Sequence, residues 1–143
     1  MARYVGTVSS PRPAAEVFEH LADFTTIAGW DPGVASSTHT GGTKGEVGAS
    51  FHVEQDTAGP NVGIDYRITE IEHPRRVKLE GRNAWLVSID VIEVEPKGTG
   101  CEVTYDATIV LRGPLRLFDP VMSLGLKRIG AKAKQGLTEH LNP

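Results

Sequence analysis

The sequence predicts an α+β fold in which a curved antiparallel sheet of about seven strands wraps around one long C-terminal helix, with two short helices near the N-terminus. Helical periodicity is confined to the two ends of the 143-residue chain, near residues 13–30 and 115–141. Between these ends, apolar residues recur with a period of two and are separated by turn residues, as in antiparallel strands. We expect residues 1–143 to form one domain around one internal cavity.

The N-terminal elements are predicted to be a strand and two short helices. Residues 2–9 are strand-like, and Pro13 opens the first helix, because the first helical position needs no backbone N–H. Three apolar residues recur at helical spacing and give this helix a buried face: Val17, Phe18 and Leu21. A second, shorter helix is predicted at about 24–30. It ends before Asp31-Pro32, since proline disfavours a helical residue ahead of it.

Each central strand has one mainly apolar face, which an antiparallel sheet turns toward the core. The alternation places these side chains on the concave face: Phe51, Ile64, Tyr66, Trp85, Val87, Ile89 and Tyr105. Arg67 and Asp90 fall on the opposite phase and are expected outside. Turns are predicted where glycine, proline and asparagine occur together, at residues 41–42, 59–61, 73–74, 81–83 and 96–100.

The C-terminal segment after Gly113-Pro114 returns to a helical period. One apolar stripe is predicted to face the sheet: Phe118, Met122, Leu126, Ile129, Ala133, Leu137 and Leu141. Pro120 predicts a kink or a restart of the helix, with Asp119 as a candidate N-cap. Gly130 and Gly136 weaken an isolated helix, so they predict either close packing at these positions or movement of the helix.

Composition and charge argue against several classes of function. The formal net charge of −3 and the pI near 5.9 indicate no basic surface for nucleic acid. No apolar run has the length needed to span a bilayer, and the strand-like N-terminus does not resemble a signal peptide. Cys101 is the single cysteine, which fits a reducing compartment, so we expect a cytoplasmic protein. The oligomeric state does not follow from the sequence.

Residues that commonly carry metal or cofactor chemistry show no characteristic spacing. The histidines are His20, His39, His52, His73 and His140. They form neither His-x-His nor His-Glu-x-x-His, so neither a metal site nor a cofactor is predicted. Ser50 and His52 share a strand face, but that face is the polar one, which favours a solvated surface over a nucleophile–base pair. No catalytic residue is identified.

Four segments of the chain occur in a characteristic order: the Val-Phe helix within residues 10–24, the Trp30-Asp31-Pro32 step, the turn within residues 70–77 and the strand start at 100–105. They resemble the polyketide cyclase/dehydrase branch of the START-like superfamily. Through the order and spacing of these segments the resemblance extends over essentially the whole chain. It implies a helix-grip fold with a ligand cavity, although this fold serves carriers, cyclases and receptors alike.

We therefore expect a protein that binds a small hydrophobic or amphipathic ligand, lipid- or polyketide-like, inside the cavity. The candidate cavity-lining residues are Trp30, Phe51, Ile64, Tyr66, Trp85, Val87, Ile89, Tyr105, Phe118, Met122 and Leu126. Two alternatives are open: a cyclase or dehydratase acting in the same cavity, and a ligand-free protein-interaction module. The hydroxyl groups of Tyr66 and Tyr105 could orient a ligand carbonyl or could complete ordinary core packing. Trp30 either closes one end of the cavity or attaches the short helices to the sheet.

Overall fold

The computed structural model describes residues 1–56 and 60–142. The chain begins with strand β1 (Ala2–Ser10), helix α1 (Ala14–Ala22), a 3₁₀ turn (Phe24–Thr26) and helix α2 (Ile27–Trp30). The following strands are β2 (Val34–Gly41), β3 (Ser50–Gln55), β4 (Val62–Glu72), β5 (Arg76–Arg82), β6 (Leu86–Lys97) and β7 (Gly100–Leu111). A 3₁₀ segment (Gly113–Phe118) then leads into the long helix α3 (Asp119–Leu141).

The described residues form one antiparallel sheet of seven strands, in the order β1-β7-β6-β5-β4-β3-β2. Strands β2 to β7 pair in sequence order, and β1 pairs with β7 along its whole length, from Ala2 opposite Ile109 to Ser10 opposite Cys101. The curved sheet, the long C-terminal helix and the two short N-terminal helices confirm the predicted α+β fold. Of the turn predicted at residues 59–61, Gly59 lies outside the described residues.

The solid part of the core lies between the sheet, α1 and the C-terminal half of α3. Val17, Phe18 and Leu21 of α1 are buried, as predicted, and form the inner face of this amphipathic helix. Phe24 meets Phe51 edge to face, with ring centroids 6.1 Å apart, a favourable aromatic geometry. Helix α3 contributes further buried residues near its C-terminal end, Leu137 and Leu141.

The start of α3 differs in part from the prediction. The 3₁₀ segment ends at Phe118 and the α-helix begins at Asp119, so Pro120 marks a restart and not a kink. Asp119 does not cap the helix with its side chain; its carboxylate pairs with the N-terminal amino group of Met1 at 2.5 Å.

Phe118 is 57 % exposed. The prediction that it faces the cavity is wrong, because it belongs to the 3₁₀ segment and does not follow the α-helical phase.

Two glycines of α3 permit close packing against the rest of the molecule. A Cβ atom on Gly130 would collide with the ring of Tyr4, and one on Gly136 would collide with the backbone carbonyl of Trp30. Gly125 has open space where a Cβ would lie. Of the two sequence-based alternatives, close packing is therefore what Gly130 and Gly136 provide.

The face of strand β6 that packs against the core is the opposite of the predicted one. Ser88 and Asp90 are buried, together with Ile92 and Val94 of the same phase. The expectation that Asp90 lies outside is therefore wrong. The error arises because the first half of the strand carries its polar residues on the inner face, which inverts the usual relation between polarity and burial.

The phase of β6 also determines on which side of the sheet the neighbouring apolar side chains lie. Trp85 precedes β6 and is 59 % exposed, and Val87 and Ile89 lie on the convex side, because alternate side chains of a strand point to opposite faces. The prediction that these three residues face the concave side is wrong. Arg67 of β4 is exposed, as predicted.

Candidate ligand-binding cavity

A cavity of about 280 Å³ lies between the concave face of the sheet and the first half of α3. Ile64 and Tyr105 line it from the sheet, Met122 and Leu126 line it from the helix, and its walls are predominantly apolar. A cavity of roughly 150 Å³ can hold benzene, and drug-sized ligands occupy about 300–1,000 Å³. The volume therefore suits a ligand with one or two rings or a short alkyl chain.

The cavity brings together five of the predicted lining residues: Ile64, Tyr66, Tyr105, Met122 and Leu126. Two others are buried but do not line it. Phe51 lies in the solid core against Phe24, and Trp30 stands edge-on to Tyr105 with ring centroids 5.5 Å apart. Trp30 thus packs against Tyr105, a residue of the cavity wall. The remaining four lie on the exposed surface or the convex face, as described above: Trp85, Val87, Ile89 and Phe118.

A hydrogen-bonded group of four polar side chains forms part of the sheet wall. The Tyr66 hydroxyl donates to Ser88 Oγ at 3.1 Å, and Ser88 donates to Asp90 Oδ1 at 2.8 Å. The Tyr105 hydroxyl donates to Asp90 Oδ2 at 2.5 Å. Asp90 therefore accepts hydrogen bonds from two sides, and we refer to Tyr66, Ser88, Asp90 and Tyr105 as the Asp90 cluster.

The sheet register explains how residues of non-adjacent strands meet in the Asp90 cluster. Tyr66 of β4 stands opposite Gly81 of β5, and Gly81 stands opposite Ser88 of β6. A Cβ atom on Gly81 would lie 2.7 Å from the Tyr66 ring. The missing side chain at Gly81 therefore lets Tyr66 reach across β5 to Ser88. Tyr105 of β7 is diagonal to Asp90, within reach of a long side chain.

Burial dominates the electrostatics of the Asp90 cluster. Asp90 is 3 % exposed, and this desolvation raises its pKa to about 6, while the hydrogen bonds from Tyr105 and Ser88 oppose the rise. Burial, followed by the nearby Asp90 charge, raises the pKa of both Tyr66 and Tyr105 well above the ordinary tyrosine value. The two tyrosines thus stay protonated near neutral pH, whereas Asp90 changes its protonation state around pH 6.

Asp31 is a second buried carboxylate beside the cavity. It follows α2, and its Oδ1 accepts a hydrogen bond from the backbone N–H of Gly33 at 2.8 Å, an aspartate turn that fixes the carboxylate. Only 8 % of its surface is exposed, and this burial raises its pKa. Asp31 and Asp90 both line the cavity, so two buried acids face one apolar space.

The sequence reasoning missed Asp31, Ser88 and Asp90 as cavity residues. A signal for the last two was present in the second half of β6, where Ile92 and Val94 alternate with Glu93 and Glu95. Continuing that phase backward along the strand places Ser88 and Asp90 inside. Asp31 lies within the Trp30-Asp31-Pro32 step, which marks the end of a helix and carries part of the family resemblance but does not indicate that the side chain is buried.

Within residues 1–56 and 60–142, no group of three or more His, Cys, Asp or Glu side chains is arranged to hold a metal ion. No helix in the same part of the chain has the length and apolar character required to cross a membrane.

The fold is shared by solved structures of low sequence identity. A START superfamily protein from Mycobacterium smegmatis aligns with a TM-score of 0.81 at 10 % identity, covering 99 % of this chain and 97 % of that one. The Zhui aromatase/cyclase from Streptomyces sp. R1128 aligns with a TM-score of 0.78 at 14 % identity, covering 97 % of this chain and 92 % of that one. A STAR-related lipid transfer protein from Xanthomonas axonopodis aligns with a TM-score of 0.73 at 18 % identity, covering 97 % of this chain and 85 % of that one. At these identities the likeness shows the fold.

A curved antiparallel sheet that holds a long C-terminal helix over a cavity defines the START-like helix-grip class. Residues 1–142 match the family described as polyketide cyclase / dehydrase and lipid transport, and the chain belongs to this family. Membership supports binding of hydrophobic ligands in general terms. The sequence has no significant match among curated proteins.

Proposed function

We propose that this protein binds a small hydrophobic or amphipathic ligand in the cavity beneath the first half of α3. The observation that carries the proposal is an apolar space of about 280 Å³ with the Asp90 cluster in one wall. Apolar walls contribute affinity through burial, at about 25 cal/mol per Å², and a few polar groups fix the ligand's orientation. A ligand-free interaction module needs no such cavity, so this feature favours ligand binding over that alternative.

Two substitutions on the same helix test the location of the site. Met122 lines the cavity, whereas Leu124 is 69 % exposed and does not line it. Met122→Asp places a charge in the apolar wall and should weaken binding of 1-octanol at least about tenfold, whereas the matched Leu124→Asp should bind like the parent protein. Binding is measured by calorimetric titration, after circular dichroism has shown that both variants are folded. Failure of the parent to bind 1-octanol, or undiminished binding by folded Met122→Asp, would contradict the proposal.

Asp90 favours a second candidate, a cyclase or dehydratase that acts in the same cavity. A buried carboxyl group with a pKa of about 6 is suited to general acid–base work near neutral pH. In that case Asp90→Asn should retain ligand and lose turnover, because it removes a proton-transfer group and leaves the apolar walls intact. Incubation of a poly-β-ketone with both proteins, followed by mass spectrometry of the products, tests this. Equal product formation by Asp90→Asn would exclude Asp90 as the acid or base.

A further inference from the structure

We propose that the cavity selects ligands whose polar group donates hydrogen bonds, above all a primary amine, and rejects ligands that carry a carboxylate. This inference rests on the ligand binding proposed above and specifies the chemistry of the ligand's polar end. Three features of the described residues carry it. They are the direction of the hydrogen bonds in the Asp90 cluster, the free oxygen of Asp31 and the sign of the charges in the lining.

The hydroxyl protons of the Asp90 cluster are already used within the protein. Tyr66 donates to Ser88, and Ser88 and Tyr105 donate to Asp90. A hydroxyl group has one proton and two lone pairs, so each tyrosine oxygen keeps acceptor capacity but has no proton left to offer. With Asp90 ionised, the cluster therefore presents acceptors only. A ligand carbonyl or carboxylate placed here would lose its water without gaining a donor, which weakens binding.

Asp31 is a mostly buried residue whose carboxylate has acceptor capacity left for a ligand. Its Oδ1 is occupied by the Gly33 N–H, and among the described residues no other group donates a hydrogen bond to this carboxylate. Asp31 as a whole residue is only 8 % exposed, and a charge in such poorly solvated surroundings is stabilised by a further hydrogen-bond donor. An ammonium or hydroxyl group of a ligand would supply the missing donor, whereas a second carboxylate would not.

The charged side chains in the described lining are all acidic: Asp31, Asp56 and Asp90. No lysine, arginine or histidine is among the described residues that line the cavity. Asp56 is exposed, whereas Asp31 and Asp90 are buried. A carboxylate inside the cavity would meet these two buried charges of its own sign in a poorly solvated space, whereas an ammonium group would be attracted by them.

Two other lining side chains carry donors of their own. Tyr4 covers Gly130 with its ring and has its hydroxyl against Gly6, and Gln55 lies beside Gly33. Both side chains are only half-buried, so water competes for their hydrogen bonds. The polarity of the site is therefore set mainly by the buried acceptors of Asp31 and the Asp90 cluster.

Four compounds with the same chain length separate the possible polar chemistries. Octylamine is a cationic donor, 1-octanol a neutral donor and acceptor, 2-octanone a neutral acceptor and octanoate an anionic acceptor. The compounds are titrated calorimetrically into the parent protein at about pH 7.5. Octylamine should bind at least about tenfold more tightly than octanoate, because a hydrogen bond to a charged group contributes enough binding free energy for a factor of ten in affinity. 1-Octanol should bind more tightly than 2-octanone. Octanoate binding as tightly as octylamine would overturn the proposal.

A variant reverses the polarity at one point while keeping the local fold. Asp31→Asn retains an oxygen for the Gly33 N–H and replaces the free acceptor by an amide donor. The preference for octylamine over octanoate should fall about tenfold. The control is Asp65→Asn, which makes the same charge change on a side chain that is 79 % exposed and does not line the cavity. A preference that is unchanged in folded Asp31→Asn would also overturn the proposal.

The outcomes distinguish the two proposals. If none of the four compounds binds the parent protein, the proposed function fails and the selectivity has no basis. If all four bind but octanoate is favoured, ligand binding stands and the inferred selectivity is wrong. The comparison of the four compounds uses only the parent protein, so it decides the question even if Asp31→Asn does not fold.

Discussion

The two halves of helix α3 lie on the same sheet but have different surroundings. Towards the C-terminal end of the helix, Leu137 and Leu141 are buried in the apolar core. In the first half, Met122 and Leu126 face an open cavity, and Val121 and Leu124 on the same stretch are exposed. One helix thus contributes to the solid core at its C-terminal end and forms a cavity wall at its N-terminal end.

The difference follows from what stands opposite each half. The chain has four phenylalanines; three are fully buried in the solid core, namely Phe18, Phe24 and Phe51, and Phe118 is exposed. The sheet wall opposite the first half of α3 instead carries small or polar side chains, including Ser88, Asp90 and Ala107. Large side chains fill one end of the molecule, and the other end keeps a space for a ligand.

The largest expected effect is on the free energy of unfolding, which should respond differently to substitutions in the solid core and in the cavity wall. Phe51→Ala should lower the free energy of unfolding by about 3–5 kcal/mol, because it removes a fully buried ring from packed surroundings. Met122→Ala should cost less than about 2 kcal/mol, since its side chain already borders empty space. Both are measured by urea denaturation. Equal costs would show that the two ends are packed alike.

The next effect concerns the pH dependence that Asp90 introduces. Its pKa is about 6 in the folded protein and about 3.9 in an unfolded chain. Between these values the folded protein holds the proton more tightly, so this contribution to stability is present below about pH 4 and is lost as the pH rises through 6. The loss amounts to about 3 kcal/mol.

Asp90→Asn removes this titration and provides the reference. The difference in unfolding free energy between the parent and Asp90→Asn should change by about 2 kcal/mol from pH 4 to pH 7, with the parent relatively more stable at the lower pH. Urea denaturation at four pH values across this range measures it. A difference that is constant with pH would show that Asp90 is not held in a desolvated site.

The smallest expected effect compares two glycines of α3. Gly130→Ala should destabilise the protein by about 1–3 kcal/mol, because the new methyl group meets the Tyr4 ring. Gly125→Ala should stabilise it by about 0.5–1 kcal/mol, since open space surrounds this position and alanine favours a helix. Thermal unfolding compares the two. A stabilising Gly130→Ala would mean that α3 and β1 are less closely packed than described.

The fold was predictable from the sequence because its elements have clean periods. Val17, Phe18 and Leu21 marked the buried face of α1, and the strands with apolar inner faces gave the correct phase for Phe51, Ile64, Tyr66 and Tyr105. These residues follow the general rule that apolar side chains are buried. The sheet and its covering helix could therefore be inferred from polarity alone.

The polar part of the site was not predictable by the same rule. A buried Asp90 on the inner face of β6 reverses the polarity pattern, and the apolar Val87 and Ile89 on the outer face reinforce the wrong phase. The contact between Tyr66 and Ser88 depends on Gly81 of an intervening strand, so it requires the sheet register. The position of Phe118 depended on where the 3₁₀ segment ends, and single-residue helix boundaries are poorly defined by sequence.

The location of a bound ligand tests the central claim most directly. Methyl NMR spectra of the protein can be recorded during titration with 1-octanol. The account predicts saturable shifts at Ile64, Met122 and Leu126, which line the cavity, and little change at Leu79 and Leu137 in the solid core. Shifts concentrated instead at the exposed residues Leu117 and Leu124 would place the ligand on the surface and contradict the account.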